Sequence, residues 1–149
     1  MDIKINKMTL TDLDYIKDNL TSDFDDFWTY NILKEELESQ ISNYLVAKID
    51  NEIIGFAGIK IILDEADIMN IVTKKTYRNQ GVGTLLLENL ISLSQKLNLK
   101  SLSLEVSEEN FPAIHLYKKF GFAYMGMRKN YYQDKNGYIM TKKLNWKNY

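Results

Sequence analysis

Cysteine is absent from the 149 residues. Its absence removes disulfides, thiolate metal sites and cysteine nucleophiles together, and it fits a cytoplasmic protein. No uninterrupted apolar run is long enough to make a membrane-spanning helix. The first residues, Met1-Asp2-Ile3-Lys4-Ile5, lack a secretory-signal pattern. Asp and Glu fall at no metal-ligand spacing, so no metal is expected. The basic residues form no dense patch interleaved with aromatics, which argues against nucleic acid as a partner. There is no internal repeat, low-complexity tract or linker, so residues 1–149 read as one domain long enough to bury a core.

What is present is unevenly charged. Residues 1–67 carry 15 acidic and 6 basic side chains, a net −9, whereas residues 68–149 carry 5 acidic and 13 basic, a net +8. The split has two readings: solvated faces that differ by chance, or a C-terminal half that meets an anionic ligand and an N-terminal half that meets a cationic one.

Apolar periodicity then divides the chain. Ile3 and Ile5 alternate with polar residues as a short first strand. Thr11 is expected to cap a helix, with Asp14 closing a capping box and Leu13, Ile16 and Leu20 on its apolar face. Asp23 to Trp28 reads as a loop, and Tyr30 to Gln40 as a helix with Ile32, Leu33 and Leu37 on one side. Tyr44–Ile49 and Ile53–Leu63 form a hairpin through Asp50-Asn51, and Ile68–Thr73 is a further strand. Leu86, Leu90, Leu93 and Leu97 recur at helical spacing, with Asn98 at the C-terminal cap. Ser101–Val106 is a strand with Leu102, Leu104 and Val106 facing one way. Asn110 caps a short helix that Gly121 ends. Phe122–Arg128 and Tyr138–Lys143 are strands joined by an Asn136-Gly137 turn. The order β-α-α-β-β-β-α-β-α-β-β predicts a mixed sheet with helices on its faces.

The stretch from Asn70 to Leu87 carries the chemistry. An apolar strand runs into a loop, Arg78-Asn79-Gln80-Gly81-Val82-Gly83-Thr84, and a helix follows at once. Unpaired N–H groups and the helix dipole favour an anion there, and Gly81 and Gly83 let the main chain come close to it. The loop therefore reads as a site for a di- or polyphosphate. A dinucleotide fold would need a third glycine, but position 86 is Leu, and a P-loop would need Gly-Lys-Ser or Gly-Lys-Thr.

What remains, Arg78-x-x-Gly81-x-Gly83, resembles the acyl-CoA pyrophosphate motif of the GNAT N-acetyltransferase superfamily. The stretch Asn110-x-x-Ala113-x-x-Leu116-Tyr117-x-x-x-Gly121-Phe122 is similar to that superfamily's second signature. Leu63-Asp64-Glu65-Ala66, Asn70-Ile71, Leu104-Glu105-Val106 and Arg128-Lys129-Asn130-Tyr131-Tyr132 further resemble the ribosomal-protein-alanine N-acetyltransferase (RimI) family. The likeness covers most of residues 40–144 and extends loosely to Phe27-Trp28.

The resemblance implies an α/β (α+β) GNAT fold: a mixed, mostly antiparallel sheet of about seven strands flanked by about four helices, splayed between strands 4 and 5. It also implies acetyl-CoA as co-substrate. Ile71, Val72 and Thr73 would hold the pantetheine arm. The N–H groups of Asn79, Gln80, Gly81, Val82, Gly83 and Thr84, with Arg78 in the same motif, would bind the pyrophosphate. Asn110 would hydrogen-bond the pantetheine. Glu105 matches the family's general base and Tyr117 its general acid.

The chemistry asks for such groups. An amine attacks a thioester only when neutral, and a protein α-amine has a pKa of about 7.7–8.0, so a carboxylate can take its proton, through water. A main-chain amide near Ile71 would steady the oxyanion, and a phenol with a pKa of about 10 can protonate the leaving thiolate. Each residue keeps a plainer reading: Glu105 as a charge on a polar strand face, Tyr117 as a core aromatic, Arg78 as a solvated loop residue. His115 lies two residues before Tyr117, points elsewhere on a helix and is read as non-catalytic. Trp28, Tyr131 and Tyr132 belong either to the core or to the acceptor groove.

Two departures stand out. Lys74-Lys75 replaces the family's frequent Asp-Pro and puts two cations near the phosphate loop. The segment before the last strand is also short. The expected acceptor is the N-terminal α-amine of an Ala-starting ribosomal protein, which an acidic N-terminal half would suit. A small amine or antibiotic acceptor is the first alternative, and a non-catalytic CoA-binding sensor the second. The protein is expected to be a monomer or weak dimer without nucleic-acid or membrane partners.

Overall fold

The computed structural model describes residues 2–25, 28–132 and 135–144. Its frame is a seven-stranded sheet in the order β1-β2-β3-β4-β5-β7-β6. The strands are β1 (Ile3–Lys7), β2 (Ser42–Ile49), β3 (Glu52–Ile62), β4 (Glu65–Thr73), β5 (Ser101–Ser107), β6 (Ala123–Tyr132) and β7 (Lys135–Lys143). The helices are α1 (Leu10–Ile16), α2 (Tyr30–Glu38), α3 (Val82–Lys96) and α4 (Phe111–Lys119). Every neighbouring pair is antiparallel except β4–β5, which is parallel. The mixed sheet expected from the chain order is thus present, with its one parallel join in the middle.

Two cores lie on opposite faces. On one, Leu86, Leu87 and Leu90 of α3 and Ile114 of α4 pack on Ala57, Ile59, Leu102, Leu104 and Val106. On the other, Leu13 and Ile16 of α1 and Leu33 of α2 pack on Tyr44, Val46, Phe56 and Val72. β3 is buried on both sides, which is why Ile53 to Ile59 shows no polar alternation. β5 alternates as its sequence predicts: Leu102, Leu104 and Val106 are buried, and the residues between them face the other side.

The structure differs from the sequence reading at four places. The first helix is capped by Thr9, not Thr11. The Thr9 side chain accepts from the Asp12 N–H, and the Thr9 N–H donates to Asp12. Both Thr-x-x-Asp frames satisfy the local rule. The earlier one prevails because it sets Asp12 against Lys48 of β2 at 2.8 Å, while Asp14 accepts from the Tyr30 hydroxyl and ties α1 to α2. The presumed loop at Asp23 begins instead with a π-helical turn, Leu20–Phe24, that buries Leu20 and Phe24. Ile32 is exposed and Leu33 alone of α2 is fully buried, and Leu97 falls beyond the end of α3 and is also exposed.

The fourth difference is the largest. Asn136 and Gly137 do not turn; they lie within β7. Gly137 stands opposite Ser107 of β5 and Arg128 of β6 at once. The Asn136 N–H donates to the Glu108 carboxylate, and its carbonyl accepts from the Glu108 N–H. Pairing on both flanks outweighs a local turn preference. The β6–β7 connection falls at residues 133–134, outside the described residues.

Burial would push the Asp12 carboxyl up, but hydrogen bonds from Lys48 and Thr9 outweigh it and hold the group below its ordinary range. A carboxyl lowered in the folded state adds stability above its ordinary value, and that stability is lost as pH falls through the folded value. Asp12→Ala is therefore expected to cost about 1–3 kcal/mol at neutral pH, through the lost cap and the Lys48 left without its partner. In denaturant unfolding, the gap between variant and wild type should close as the pH drops below 3.8, the ordinary value of the group.

Candidate active site

β4 and β5 are joined over only three residue pairs, Glu65–Ser101, Ala66–Leu102 and Asp67–Ser103. Beyond them the strands part. Between Ile68 and Asn70 the register with β3 shifts, so Met69 is an extra residue in β4. Such a bulge bends a strand and increases its local twist, which carries β4 away from β5. From Ile68 to Thr73, β4 pairs with β3 alone. Alternate main-chain N–H and C=O groups along its other edge face the gap.

The gap is the mouth of a cleft of about 680 Å³. Ile68 to Val72 form one wall, and Ser103 to Ser107 the other. Asn110, Ala113 and Tyr117 of α4 close the side toward α3, and Asp25, Trp28 and Arg128 stand on the opposite side. Ile71, Val72, Glu105, Asn110 and Tyr117, singled out far apart in sequence, therefore meet here. Trp28 also lines the cleft; the side chains of Tyr131 and Tyr132, and Phe27 altogether, lie outside the described residues. His115 is exposed on α4 and does not line the cleft.

Glu105 is on the face of β5 away from α3 and α4. Its side chain is 29% exposed, and Arg128 Nη1 lies 3.4 Å from each carboxylate oxygen. That contact sets a guanidinium beside the carboxylate. Asp67 sits on the same face; partial burial, then the neighbouring Glu105 and Glu65, raise its carboxyl above the ordinary range. Tyr117 is half-buried against Phe122, ring centroids 5.8 Å apart. Burial raises its phenol above the ordinary value, so it keeps its proton at neutral pH. Asp67 and Arg128 also line the cleft; no local sequence signal marks them, because only the pairing of Asp67 with Ser103 puts Asp67 on the Glu105 face.

The glycine loop stands at the other end of β4. Gly81 caps α3 with φ 87°, a conformation glycine adopts without steric cost. The first helical hydrogen bond runs from the Leu85 N–H to the Gly81 carbonyl. The N–H groups of Val82, Gly83 and Thr84 thus have no intrahelical partner, and no side chain caps them. A Cβ at Gly83 would meet Thr73 Oγ1 at 3.7 Å, an ordinary contact, so the protein itself leaves room for one.

Three basic side chains of the loop have partners within the protein. Arg78 turns back: Nη2 donates to the Phe24 carbonyl at 2.9 Å and Nε to the Thr73 carbonyl at 3.4 Å. Lys74 pairs with Glu52 at 2.7 Å, and Lys75 Nζ lies 3.5 Å from the Thr21 carbonyl. All three tie the loop to neighbouring segments, while the main-chain N–H groups at the start of α3 carry no side-chain cap. Asn110 Oδ1 accepts from the Ala113 N–H and caps α4 from the cleft wall. No group of three or more metal-ligating side chains gathers among the described residues, and none of the helices is long and apolar enough to cross a membrane.

Comparison with known proteins agrees with this geometry. The profile described as the acetyltransferase (GNAT) family matches residues 9–122. A Bacillus subtilis (strain 168) protein, named provisionally as a ribosomal protein bS18-alanine N-acetyltransferase, is 40% identical over 131 residues, 87% of each chain. The crystal structure of the ribosomal-protein-S18-alanine N-acetyltransferase from Escherichia coli superposes with a TM-score of 0.89 at 27% identity, over 99% of this chain and 97% of that one. A GNAT family acetyltransferase from Elizabethkingia anophelis with acetyl-CoA bound superposes with a TM-score of 0.79 at 25% identity, over 95% of this chain and 98% of that one.

Gly83 offers a test of the loop that separates folding from binding. Gly83→Ala is expected to leave the thermal midpoint unchanged or raised, since alanine favours a helix over glycine by about 1 kcal/mol. It should weaken acetyl-CoA binding by calorimetry about tenfold or more, because a methyl group set against a close-packed ligand costs about 1–3 kcal/mol.

Proposed function

The chain belongs to the acetyltransferase (GNAT) family, and from that premise we propose that it moves an acetyl group from acetyl-CoA directly to the N-terminal α-amine of a ribosomal protein. The observation that carries the reading is that Glu105 and Tyr117 line the same cleft, which opens where β4 and β5 part. The names of the Bacillus subtilis and Escherichia coli relatives favour an alanine α-amine on ribosomal protein S18 as acceptor. The compartment is the cytoplasm, where ribosomal proteins are made, and residues 1–149 act as one catalytic domain.

The fit of acetyl-CoA rests on features of the chain. The N–H groups of Val82, Gly83 and Thr84, with those of Asn79, Gln80 and Gly81 beside them, would hold the pyrophosphate. Arg78 positions that loop through the Phe24 and Thr73 carbonyls and leaves the anion to the main chain. The β4 edge from Ile71 to Thr73 would hold the pantetheine in strand-like fashion, as an added strand is held, with Asn110 across from it. Bound there, acetyl-CoA supplies an activated acyl group as its thioester.

The protein's part is proton transfer and charge. An incoming ammonium meets Asp25, Asp67 and Glu105 on the acceptor side, a negative lining that draws a cation. Glu105, held by Arg128, takes a proton from it, through water, and leaves the neutral nucleophile. Main-chain amides along the Met69–Val72 edge are placed to stabilise the charge that develops on the acetyl oxygen. Tyr117, protonated at neutral pH, delivers a proton to the departing sulfur. The aspartate and glutamate lining also suits a peptide acceptor with cationic side chains.

Acetyl-CoA and a panel of Ala-starting ribosomal peptides, lysine-containing peptides and small amines, read by mass spectrometry, test the acceptor. Acetyl should appear on the α-amine of the Ala-starting peptides; acetyl confined to lysines or small amines would overturn that assignment. Glu105→Gln and Tyr117→Phe should each lower turnover about 10²-fold or more with acetyl-CoA affinity nearly kept. Wild-type rates in either variant remove its role.

A further inference from the structure

One polar group in the cleft wall is not used by the chemistry above. Asn70 follows the Met69 bulge, lines the cleft and is only 8% exposed. Its Nδ2 donates to the Tyr44 hydroxyl at 3.2 Å, while its Oδ1 has no partner. A buried acceptor left unpaired is costly, and such a group calls for a ligand or a reason.

Its position is built with care. Tyr44, Gly58 and Asn70 stand side by side across β2, β3 and β4. The Tyr44 ring lies against Gly58 so closely that a Cβ there would come within 2.3 Å of it. The glycine makes room for the ring beside Asn70, where its hydroxyl accepts from the amide. Burial, then the nearby Glu36, push the Tyr44 phenol well above its ordinary range, so it stays neutral and available as a partner. Asn70 and Tyr44 belong to the α1/α2 face of the sheet, opposite α3 and its N-terminus. Oδ1 thus lies on the acceptor face of the sheet, buried within the cleft wall with almost no exposed surface of its own.

We propose that Asn70 Oδ1 accepts a hydrogen bond from the amine of the acceptor and thereby orients the nitrogen that attacks. The inference rests on the reading of this cleft as an amine-acetylating site. An ammonium or amine presents more N–H groups than Glu105 alone can take, and a fixed neutral oxygen on the opposite wall constrains the direction of its lone pair once the proton has gone to Glu105. No proton moves at Asn70; it acts as a positioning residue that touches the substrate.

The test uses whichever primary amine the wild-type protein acetylates, and three variants: Asn70→Leu, Asn70→Asp and Tyr44→Phe/Asn70→Leu. Replacing both partners by apolar groups of similar shape is nearly neutral for stability, so the double variant stays folded where Asn70→Leu alone does not. The leucine variants should raise the acceptor KM or lower kcat/KM by about 10- to 100-fold, the worth of a hydrogen bond to a charged donor, with acetyl-CoA affinity within about twofold of wild type. Asn70→Asp, which keeps an oxygen in place, should recover most of the loss. The inference falls if the leucine variants turn over the acceptor at wild-type kcat/KM, if acetyl-CoA binding is lost in parallel, or if Asn70→Asp is as impaired as leucine. A wild-type protein that acetylates an amine other than a peptide α-amine overturns only the acceptor assignment; one that acetylates no primary amine overturns both.

Discussion

The three-pair join between β4 and β5 is the constraint on which the rest depends. A parallel neighbour cannot be reached by a tight turn and requires a long crossover; here that crossover is the glycine loop and α3. The crossover returns the chain to the sheet beside β4, so the N-terminus of α3 lies where β4 ends. The Met69 bulge then draws β4 off before the parallel ladder can lengthen. The uncapped N-terminus of α3 at one end and the Glu105 carboxylate at the other are set apart by one local failure to pair, and the free strand edge between them is as long as the failure itself.

The two faces of the sheet divide the labour that results. On the α3/α4 side one core cluster runs from Ala47 to Leu144, and it carries α4, whose Asn110 cap and Tyr117 both line the cleft. On the other side the core of α1 and α2 covers β2 to β4, and Glu105, Asp67 and Arg128 stand beyond it. The acidic excess of residues 1–67 is consistent with that geometry, since Asp25 and Asp67 from that half line the acceptor side. Three basic residues of the 68–149 half, those around the glycine loop, have partners within the protein. Lys74, Lys75 and Arg78 bond to Glu52 and to backbone carbonyls, and the dipole and free N–H groups of α3 are what remain for an anion.

Much of this was legible because its signals are local. Leu102, Leu104 and Val106 alternate in sequence and in space; Gly81 and Asn98 mark the ends of α3 and both adopt positive φ. What was not legible depends on partners distant in sequence. Thr11-x-x-Asp14 is as good a capping box as Thr9-x-x-Asp12, and only Lys48, thirty-six residues from Asp12, decides between them. Asn-Gly is a strong turn signal, yet Gly137 sits in a strand paired on both flanks, and no property of the dipeptide says that two ladders will claim it. The same reasoning applies to the site. Glu105 and Tyr117 carry roles through the resemblance to known motifs, whereas Asn70 and Arg128 stand in resembling stretches without a role, and they and Asp67 needed the sheet order to bring them to one cleft.

Asn70 shows why a wall residue of this kind escapes a motif search. Nothing in Asn70-Ile71 distinguishes a side chain that satisfies the strand from one that is withheld from it. Its meaning comes from three neighbours: a bulge that re-aims the chain at Met69, a glycine at 58 that admits an aromatic ring, and the ring that takes one end of the amide and leaves the other. Folding alone would favour an apolar residue there, since replacing both polar partners with apolar groups removes an unpaired acceptor at little cost. Retaining the amide beside the catalytic gap opposes stability and is consistent with a ligand that completes it. In that respect Asn70 resembles the bare N-terminus of α3: both are incomplete in the protein by itself, one lacking a donor and the other an acceptor, and together they bracket the line along which the two substrates would meet.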